Sequence, residues 1–208
     1  MVSSWPMLAA AVYVMALVGF ERPAGWKAQP HARATAQPQV PETHSDREAR
    51  LADLRVKARQ RMTEDLGRYT EDELRDLETL YMSTRLAGTL LRKSNARQSL
   101  ERLVATYPRS NRAGCAVLEL AQMSAGDERE QYLKLAIAQH GDAWFENGAQ
   151  VGPLARALLA MYYAGLGRLE EAETLAAEIS SLYPGSVDSA GASLDDMLPG
   201  LKLLRRES

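Results

Sequence analysis

Residues 153–186 read PLARALLAMYYAGLGRLEEAETLAAEISSLYPGS, and this stretch decides the fold. Apolar residues recur every three or four positions on both sides of Gly167, which predicts two amphipathic helices joined by a tight turn. Pro184 cannot continue a helix, so the second helix must end just before it. The stretch therefore predicts an antiparallel helical hairpin, with helices over 153–165 and 169–182.

The second half of this hairpin has an earlier copy in the chain. Both segments carry the same succession of small and large apolar residues, and both close with Tyr-Pro-x-Ser. The residues of one segment and their counterparts in the other are Ala96, Leu100, Leu103, Tyr107 and Pro108, and Ala172, Ala176, Ile179, Tyr183 and Pro184. A small residue early in such a helix lets the preceding helix approach closely, and the larger side chains then fill the groove between them. The identical spacing favours an internal repeat over a generic helical bundle.

Residues 153–186 resemble one tetratricopeptide repeat, which is a helical hairpin of about 34 residues. The positions that carry the resemblance are Leu159, Ala160, Tyr163, Gly167, Ala172 and Pro184. Ala176 and Ile179 depart from the family's pattern, and Arg156 stands where the family often has Trp. The resemblance extends over 71–186, most clearly in the last hairpin, and it implies a scaffold that binds another protein.

Helical patterns continue from residue 46 towards the C-terminus, without a convincing strand pattern. Helices are predicted over 46–66, 71–92, 95–107, 112–124, 128–140, 153–165, 169–182 and 194–205. Most links between them are short, which requires antiparallel neighbours. We therefore predict an all-α domain over 46–208, closed by a C-terminal cap. The tetratricopeptide resemblance implies that this domain is a short right-handed stack of antiparallel helix hairpins.

The N-terminal segment differs from the rest of the chain. Met7–Phe20 is an uncharged apolar run of the length of a signal-peptide core. We interpret 1–21 as a signal peptide or a signal anchor, because no small-x-small cleavage site follows the run directly. Residues 22–45, rich in Pro, Ala and Gln, are predicted to form a disordered linker. The protein is therefore expected to be exported (periplasmic or secreted) or membrane-anchored.

The sequence offers little for catalysis. A formal net charge of −2 argues against nucleic-acid binding, which needs a basic surface. No metal-ligand, phosphate-loop or nucleophile motif is present, so we predict no catalytic residue, metal or cofactor. Cys115 is interpreted as a small core residue, and His140 as a helix-ending residue that complements the helix dipole.

One connection, over 140–153, is longer than the others and holds Trp144 and Phe145 side by side. These two residues either plug the junction between hairpins or anchor a partner, as aromatic residues do at interface hot spots. They are the candidate partner-binding residues.

The resulting hypothesis is a non-catalytic protein–protein interaction scaffold of tetratricopeptide type, in keeping with the family's bacterial cell-envelope members. It would bind an extended peptide or a helix of another protein in a shallow groove. The alternative is a membrane-anchored spacer or a self-associating subunit, which would carry an apolar patch that is buried in a homo-oligomer.

Overall fold

The computed structural model describes residues 44–83 and 90–197, and the side chains over 44–83 and 95–196. Within these ranges the chain forms helices and two isolated β-bridges, which confirms the predicted all-α class. The helices are α1 (His44–Leu66), α2 (Glu71–Met82), α3 (Leu90–Thr106), α4 (Asn111–Met123), α5 (Gly126–Gln139), α6 (Val151–Gly165), α7 (Leu169–Leu182) and α8 (Leu194–Met197).

The described residues belong to one compact unit, Glu42–Ser208. The predicted signal or anchor segment, 1–21, lies outside the described residues, as does the linker at 22–45 except for its last two residues. Those two, His44 and Ser45, already belong to α1. Among the helices that are described, none has both the length and the apolarity needed to cross a membrane.

Consecutive helices from α2 to α7 pack against each other, and α2, α4 and α6 also contact one another in turn. In the described part of the chain the backbones of α3 and α5 do not approach each other closely, nor do those of α5 and α7, and α3 and α5 are joined by side chains, since Arg97 bonds Glu128 at 3.3 Å. Helices α2, α4 and α6 therefore form an inner row, and α3, α5 and α7 an outer one. The short α8 packs on α6 and α7, and Leu194 at its start is fully buried.

Helix α4 is the centre of the core. Every residue from Asn111 to Ala121 is buried except Glu119, which is half-buried. Leu100, Leu103 and Leu133 of the outer helices are also buried in this core. Each such leucine contributes roughly 1.5–3 kcal/mol through its removal from water.

Glycine lets the chain approach α4 closely at one point. A Cβ atom at Gly114 would lie 2.3 Å from the Cβ of Ala143 and 3.1 Å from that of His140. No real side chain tolerates the shorter distance, so the connection between α5 and α6 can rest on α4 only because position 114 is glycine.

The prediction of one helix over 71–92 is wrong. Helix α2 ends at Met82, and Leu90–Arg92 belong to α3. The hydroxyl groups of Thr79 and Ser83 donate hydrogen bonds to the carbonyls of Arg75 and Leu80 at 2.7 Å each, a local competition with the backbone ladder that weakens the end of a helix. Helix α3 begins at Leu90, five residues before the predicted start at 95. The remaining predicted helices begin and end within two residues of the observed ones, and the part of the C-terminal cap beyond Met197 lies outside the described residues.

Candidate functional site

Three connections of the hairpin array lie at one edge of the domain, and α1 contacts all of them. We call them together the loop edge: 107–110 between α3 and α4, 140–150 between α5 and α6, and 183–193 between α7 and α8. With 23 residues, α1 is about 34 Å long, enough to run past all three. Its arginines donate hydrogen bonds to carbonyl oxygens there: Arg61 to Arg109, Arg50 to Gly185, and Arg47 to Ala190. Arg68, in the turn that follows α1, donates to the Arg109 carbonyl as well.

The same turn opens each of these connections. The backbone N–H of Ser110 donates to the Tyr107 carbonyl at 3.0 Å, and that of Ser186 donates to the Tyr183 carbonyl at 3.1 Å. These are the two Tyr-Pro-x-Ser segments singled out from the sequence. The connection over 140–150 begins with the same bond, from the Ala143 N–H to the His140 carbonyl at 3.1 Å, although the sequence of its turn is His-Gly-Asp-Ala. The sequence motif therefore found two of the three equivalent turns.

The second and third connections also share a seven-residue excursion, over 144–150 and 187–193. Each is closed by an isolated antiparallel bridge, Trp144 with Gln150 and Val187 with Ser193, and the two bridges are 43 residues apart in sequence. Gly148 and Gly191 occupy the same place in the two excursions, with φ values of 95° and 77°. Sequence analysis missed this period, although the Gly-Ala pairs at 148–149 and 191–192 are a signal for it.

Both excursions lie against α1. A Cβ atom at Gly148 would lie 3.0 Å from the Cβ of Leu54, and one at Gly191 would lie 3.2 Å from the methyl groups of Leu51. Leu51 and Leu54 are one turn apart on the same face of α1. The two glycine turns thus form the surface on which the apolar face of α1 packs.

The candidate partner-binding residues Trp144 and Phe145 lie in the first excursion. The Trp144 backbone is fixed to α4, because its N–H donates to Asn111 Oδ1 and its carbonyl accepts from Asn111 Nδ2, both at 2.8 Å. Trp144 and Phe145 are both half-buried, and Phe145 packs against the core. The loop is therefore held rigidly to the fold, and a role of Trp144 in partner binding stays a prediction.

Asp65, at the end of α1, is a residue that sequence analysis missed. It is only 5% exposed, and its Oδ2 accepts a hydrogen bond from the backbone N–H of Asn111 at 2.7 Å. Its Oδ1 accepts from Arg61 at 3.3 Å and from Arg68 at 3.0 Å. Asp65 thus supplies negative charge and an acceptor at the N-terminus of α4, where both are favourable.

Arg112 makes a second buried ionic contact beside Asn111. Its guanidinium bonds Glu78 twice at 2.9 Å and Glu146 at 2.6 Å, and it stacks 4.5 Å above the Tyr81 ring. Burial acts to lower the pKa of Arg112, but the hydrogen bonds from both glutamates outweigh it, so its pKa is raised. This arrangement ties α2, α4 and the 140–150 loop together.

A cleft of about 250 Å³ opens at the loop edge, beside the C-terminal end of α1. It is lined by Arg61, Arg68, Pro108, Arg109, Ser110, Gln139, His140, Asp142 and Ala143. Burial lowers the pKa of His140, the nearby Asp142 carboxylate raises it, and the Arg61 guanidinium lowers it further. His140 was interpreted from the sequence only as a helix end, and the structure also places it in this cleft.

Of the residues that carry the repeat signature, only Pro108 lines the cleft. The apolar ones are buried in the core: Ala96, Leu100, Leu103, Leu159, Ala160, Tyr163 and Ala172. Pro108 and Pro184 are exposed where α3 and α7 end, and Gly167 forms the α6–α7 turn with a φ of 76°. They therefore build the hairpins rather than present a surface.

At the edge opposite to the loops, Tyr163 is the centre of a polar cluster. Its hydroxyl donates to Glu130 at 2.8 Å, and the Arg168 guanidinium lies 3.7 Å from its ring centroid. Burial, followed by the hydrogen bond to Glu130, raises the pKa of Tyr163. Because Glu130 belongs to α5 and Tyr163 to α6, the cluster joins two neighbouring hairpins.

The described residues include no group of three side chains that could hold a metal ion. Cys115 is fully buried, as predicted, and burial raises the pKa of its thiol to about 12. At neutral pH the thiol is therefore protonated, and a protonated thiol is a poor nucleophile.

Comparisons with known proteins add no family to this picture. No family model matches the chain, and neither a curated protein nor a solved structure matches it.

Proposed function

We propose that this chain is a non-catalytic scaffold of tetratricopeptide type that binds another protein, as an exported or membrane-anchored module of the cell envelope. The observation that carries the proposal is the hairpin array, in which inner helices α2, α4 and α6 contact in turn and one turn geometry recurs three times. Stacked hairpins of this kind present extended surfaces for protein binding. Their right-handed stacking is part of the same proposal.

We place the partner at the loop edge and not along the inner row. Between Asn111 and Ala121 of the inner helix α4, only Glu119 is partly exposed. Its carboxylate accepts a hydrogen bond from the Tyr81 hydroxyl at 2.8 Å. The loop edge, in contrast, combines the half-buried Trp144 with exposed charges such as Asp142. Rigidly held loops are frequent sites of recognition, because the scaffold fixes their side chains at little cost in entropy.

Site-specific photo-crosslinking in cells tests this placement. A photoreactive residue at position 144 of the full-length chain is expected to give a discrete crosslinked species of higher mass. The same residue at Gln131, exposed on the outer helix α5, is the matched control and should give none. If position 144 crosslinks to nothing, or crosslinks no more than position 131, the loop edge is not a partner site.

The second candidate function is self-association, and one observation favours it. The α6–α7 hairpin exposes two leucines, Leu166 at 55% and Leu182 at 60%. If they form a contact between copies of the chain, the double substitution Leu166→Lys and Leu182→Lys should reduce the oligomer mass in sedimentation velocity. A wild-type chain that sediments as a monomer at high concentration rules this function out.

The proposed location is tested separately. N-terminal sequencing of the native protein distinguishes cleavage from retention of the Met7–Phe20 segment. Protease accessibility of the domain in intact cells then tells on which side of the membrane it lies. A full-length, soluble cytoplasmic chain would refute export and anchoring together.

A further inference from the structure

The cleft at the loop edge has two guanidinium groups held in fixed positions. Arg61 bonds Asp65 at 3.3 Å, the Arg109 carbonyl at 3.2 Å and Asp142 at 3.1 Å, and its side chain is 12% exposed. Arg68 bonds Asp65 at 3.0 Å and the same carbonyl at 2.8 Å, through Nη1 in both cases. These bonds leave the Nε and Nη2 groups of Arg68 as oriented donors, because no bond to them is found within the described residues. A donor that is already oriented binds a ligand with less loss of entropy.

Arg109 contributes the third guanidinium. It is exposed on the turn whose carbonyl Arg61 and Arg68 both hold, and its own side chain makes no hydrogen bond or ion pair with the described residues. The cleft region thus carries three guanidinium groups and three carboxylates, because Glu64 pairs with Arg61 at 3.4 Å in addition to Asp65 and Asp142. All three carboxylates bond Arg61 or Arg68, so Arg109 is the guanidinium of the cleft without a carboxylate partner among the described residues.

His140 is the buried member of the cleft. It is 5% exposed, and no hydrogen bond to its ring nitrogens is found among the described residues. These nitrogens are not among the fully buried atoms without a partner there, so they still reach the cleft. The charged groups that act on the ring are Arg61 from α1 and Asp142 from its own loop, while Arg68 and Arg109 line the cleft from the neighbouring turns. A ligand in the cleft that accepts hydrogen bonds can therefore pair with the ring.

We propose that the cleft binds a tetrahedral oxyanion of the phosphate class, held by Arg68, Arg109 and His140. A phosphate group offers enough oxygens to accept from all three side chains at once, whereas a carboxylate has only two oxygens. Arg61 is a positioning residue, because its charge attracts the anion while its donors are occupied by Asp65, Asp142 and the Arg109 carbonyl. Asp142, whose side chain is 71% exposed, weakens binding through its charge.

Histidine NMR provides the test, because the chain has only three histidines and two of them, His31 and His44, can be replaced by Gln to identify the His140 signals. Inorganic phosphate is titrated into the full-length protein at constant ionic strength, with acetate as the comparison. Phosphate should move the His140 ring signals saturably and raise the pH at which they titrate. Binding should tighten as the pH falls towards the range in which His140 takes up a proton.

Three variants make the test specific. Arg109→Gln should weaken phosphate binding about tenfold, the effect of one lost charge-assisted hydrogen bond. Arg75→Gln removes the same charge from a 65% exposed arginine on α2 and should change nothing. Asp142→Asn should strengthen binding. None of the three side chains is buried, so the fold should persist in each variant, and circular dichroism verifies it.

Titration with a second ligand, a Gly-phosphoserine-Gly peptide, distinguishes a phosphate group carried on a partner from the free ion. Equal binding of the peptide and inorganic phosphate means that the cleft accepts a phosphate carried on a partner, and binding of inorganic phosphate alone means that it takes the free ion. The proposal is overturned if phosphate moves the His140 signals no more than acetate does, or if Arg109→Gln and Arg75→Gln bind phosphate equally.

Discussion

Replacing Asp65 by alanine should destabilise the domain more than any other single carboxylate substitution in α1. The carboxylate is 5% exposed and bonds three groups: the backbone N–H of Asn111 at 2.7 Å, Arg68 at 3.0 Å and Arg61 at 3.3 Å. Alanine leaves the first N–H of α4 without an acceptor, in the interior where water does not replace it. It also removes the charge that both arginines share.

The expected loss of stability depends on which hydrogen bonds the partners of Asp65 keep in the variant. Removing one partner of a buried ionic contact costs about 3–5 kcal/mol. Arg61 keeps Asp142 and Arg68 keeps the Arg109 carbonyl, so the cost should lie near the lower end, at about 3 kcal/mol. Asp65→Asn keeps an acceptor for the Asn111 N–H but loses the charge, and it should cost about 1–2 kcal/mol.

Urea unfolding of the full-length chain, followed by circular dichroism, measures these differences. Since the urea dependence of a small domain is about 1–3 kcal/mol per molar, a loss of 3 kcal/mol lowers the midpoint by about 1–3 M. Asp53→Ala is the matched control, because Asp53 lies on the same helix and pairs with Lys57, but its side chain is 63% exposed. This substitution should lower the free energy of unfolding by less than about 1 kcal/mol. Equal midpoints for Asp65→Ala and Asp53→Ala would refute the role assigned to Asp65.

Four further predictions follow from the loop edge. Gly148→Ala should lower the free energy of unfolding by about 1–3 kcal/mol, because φ is 95° and the new Cβ would lie 3.0 Å from α1. Its melting temperature should fall more than that of Gly126→Ala, where φ is also positive but no atom lies within 4 Å of the new Cβ. Burial lowers the pKa of His140 below its unfolded value of 6.5, so its neutral form contributes stability above pH 6.5, and this contribution is lost as the pH falls below that value. The melting temperature should therefore drop between pH 7 and pH 5, and the drop should be smaller in His140→Gln. Phe145→Ala should lower the midpoint of urea unfolding by more than Trp144→Ala, since Phe145 packs on the core, and the opposite order would make Trp144 the plug. Backbone amides of α1 should exchange with solvent faster than those of α4 in native-state hydrogen exchange, and equal protection would contradict the polar attachment of α1 described below.

Local patterns predicted the helices well, because their causes are local. The α7 boundaries, 169–182, were predicted to the residue from the apolar spacing. The Thr-Glu-Asp-Glu sequence over 70–73 has the spacing of a capping box, and the structure contains one, with the Thr70 N–H donating to Glu73 at 2.8 Å. The similar sequence that starts at Asp127 does not cap a helix, because α5 already begins at Gly126 and Asp127 lies within its first turn.

The cleft could not be predicted in this way, because its causes are not local. Asp65 meets Asn111 across 46 residues, and Arg61 meets Asp142 across 81. Each contact depends on where α1 lies, and nothing in the periodicity of α1 says which face of the domain it covers. The second reason is that His140 opens a turn with the same hydrogen bond as the two Tyr-Pro-x-Ser turns, but with the sequence His-Gly-Asp-Ala, which does not reveal the equivalence.

The chemistry of α1 explains why it lies along the loop edge and not elsewhere on the domain. Only Leu54 and Ala58 among its apolar residues are fully buried, too few to hold a helix of 23 residues by apolar contact alone. The turns at this edge end helices, so they present carbonyl oxygens that no helical N–H satisfies. Arginines on α1 supply the missing donors, at 3.1–3.4 Å from the carbonyls of Arg109, Gly185 and Ala190. Each such bond contributes only about 1 kcal/mol in net terms, so the attachment depends on their number and on Asp65. A helix held in this way is specific in position, because its donors match three carbonyl groups. We expect it to open more readily than α4, because it buries few apolar residues.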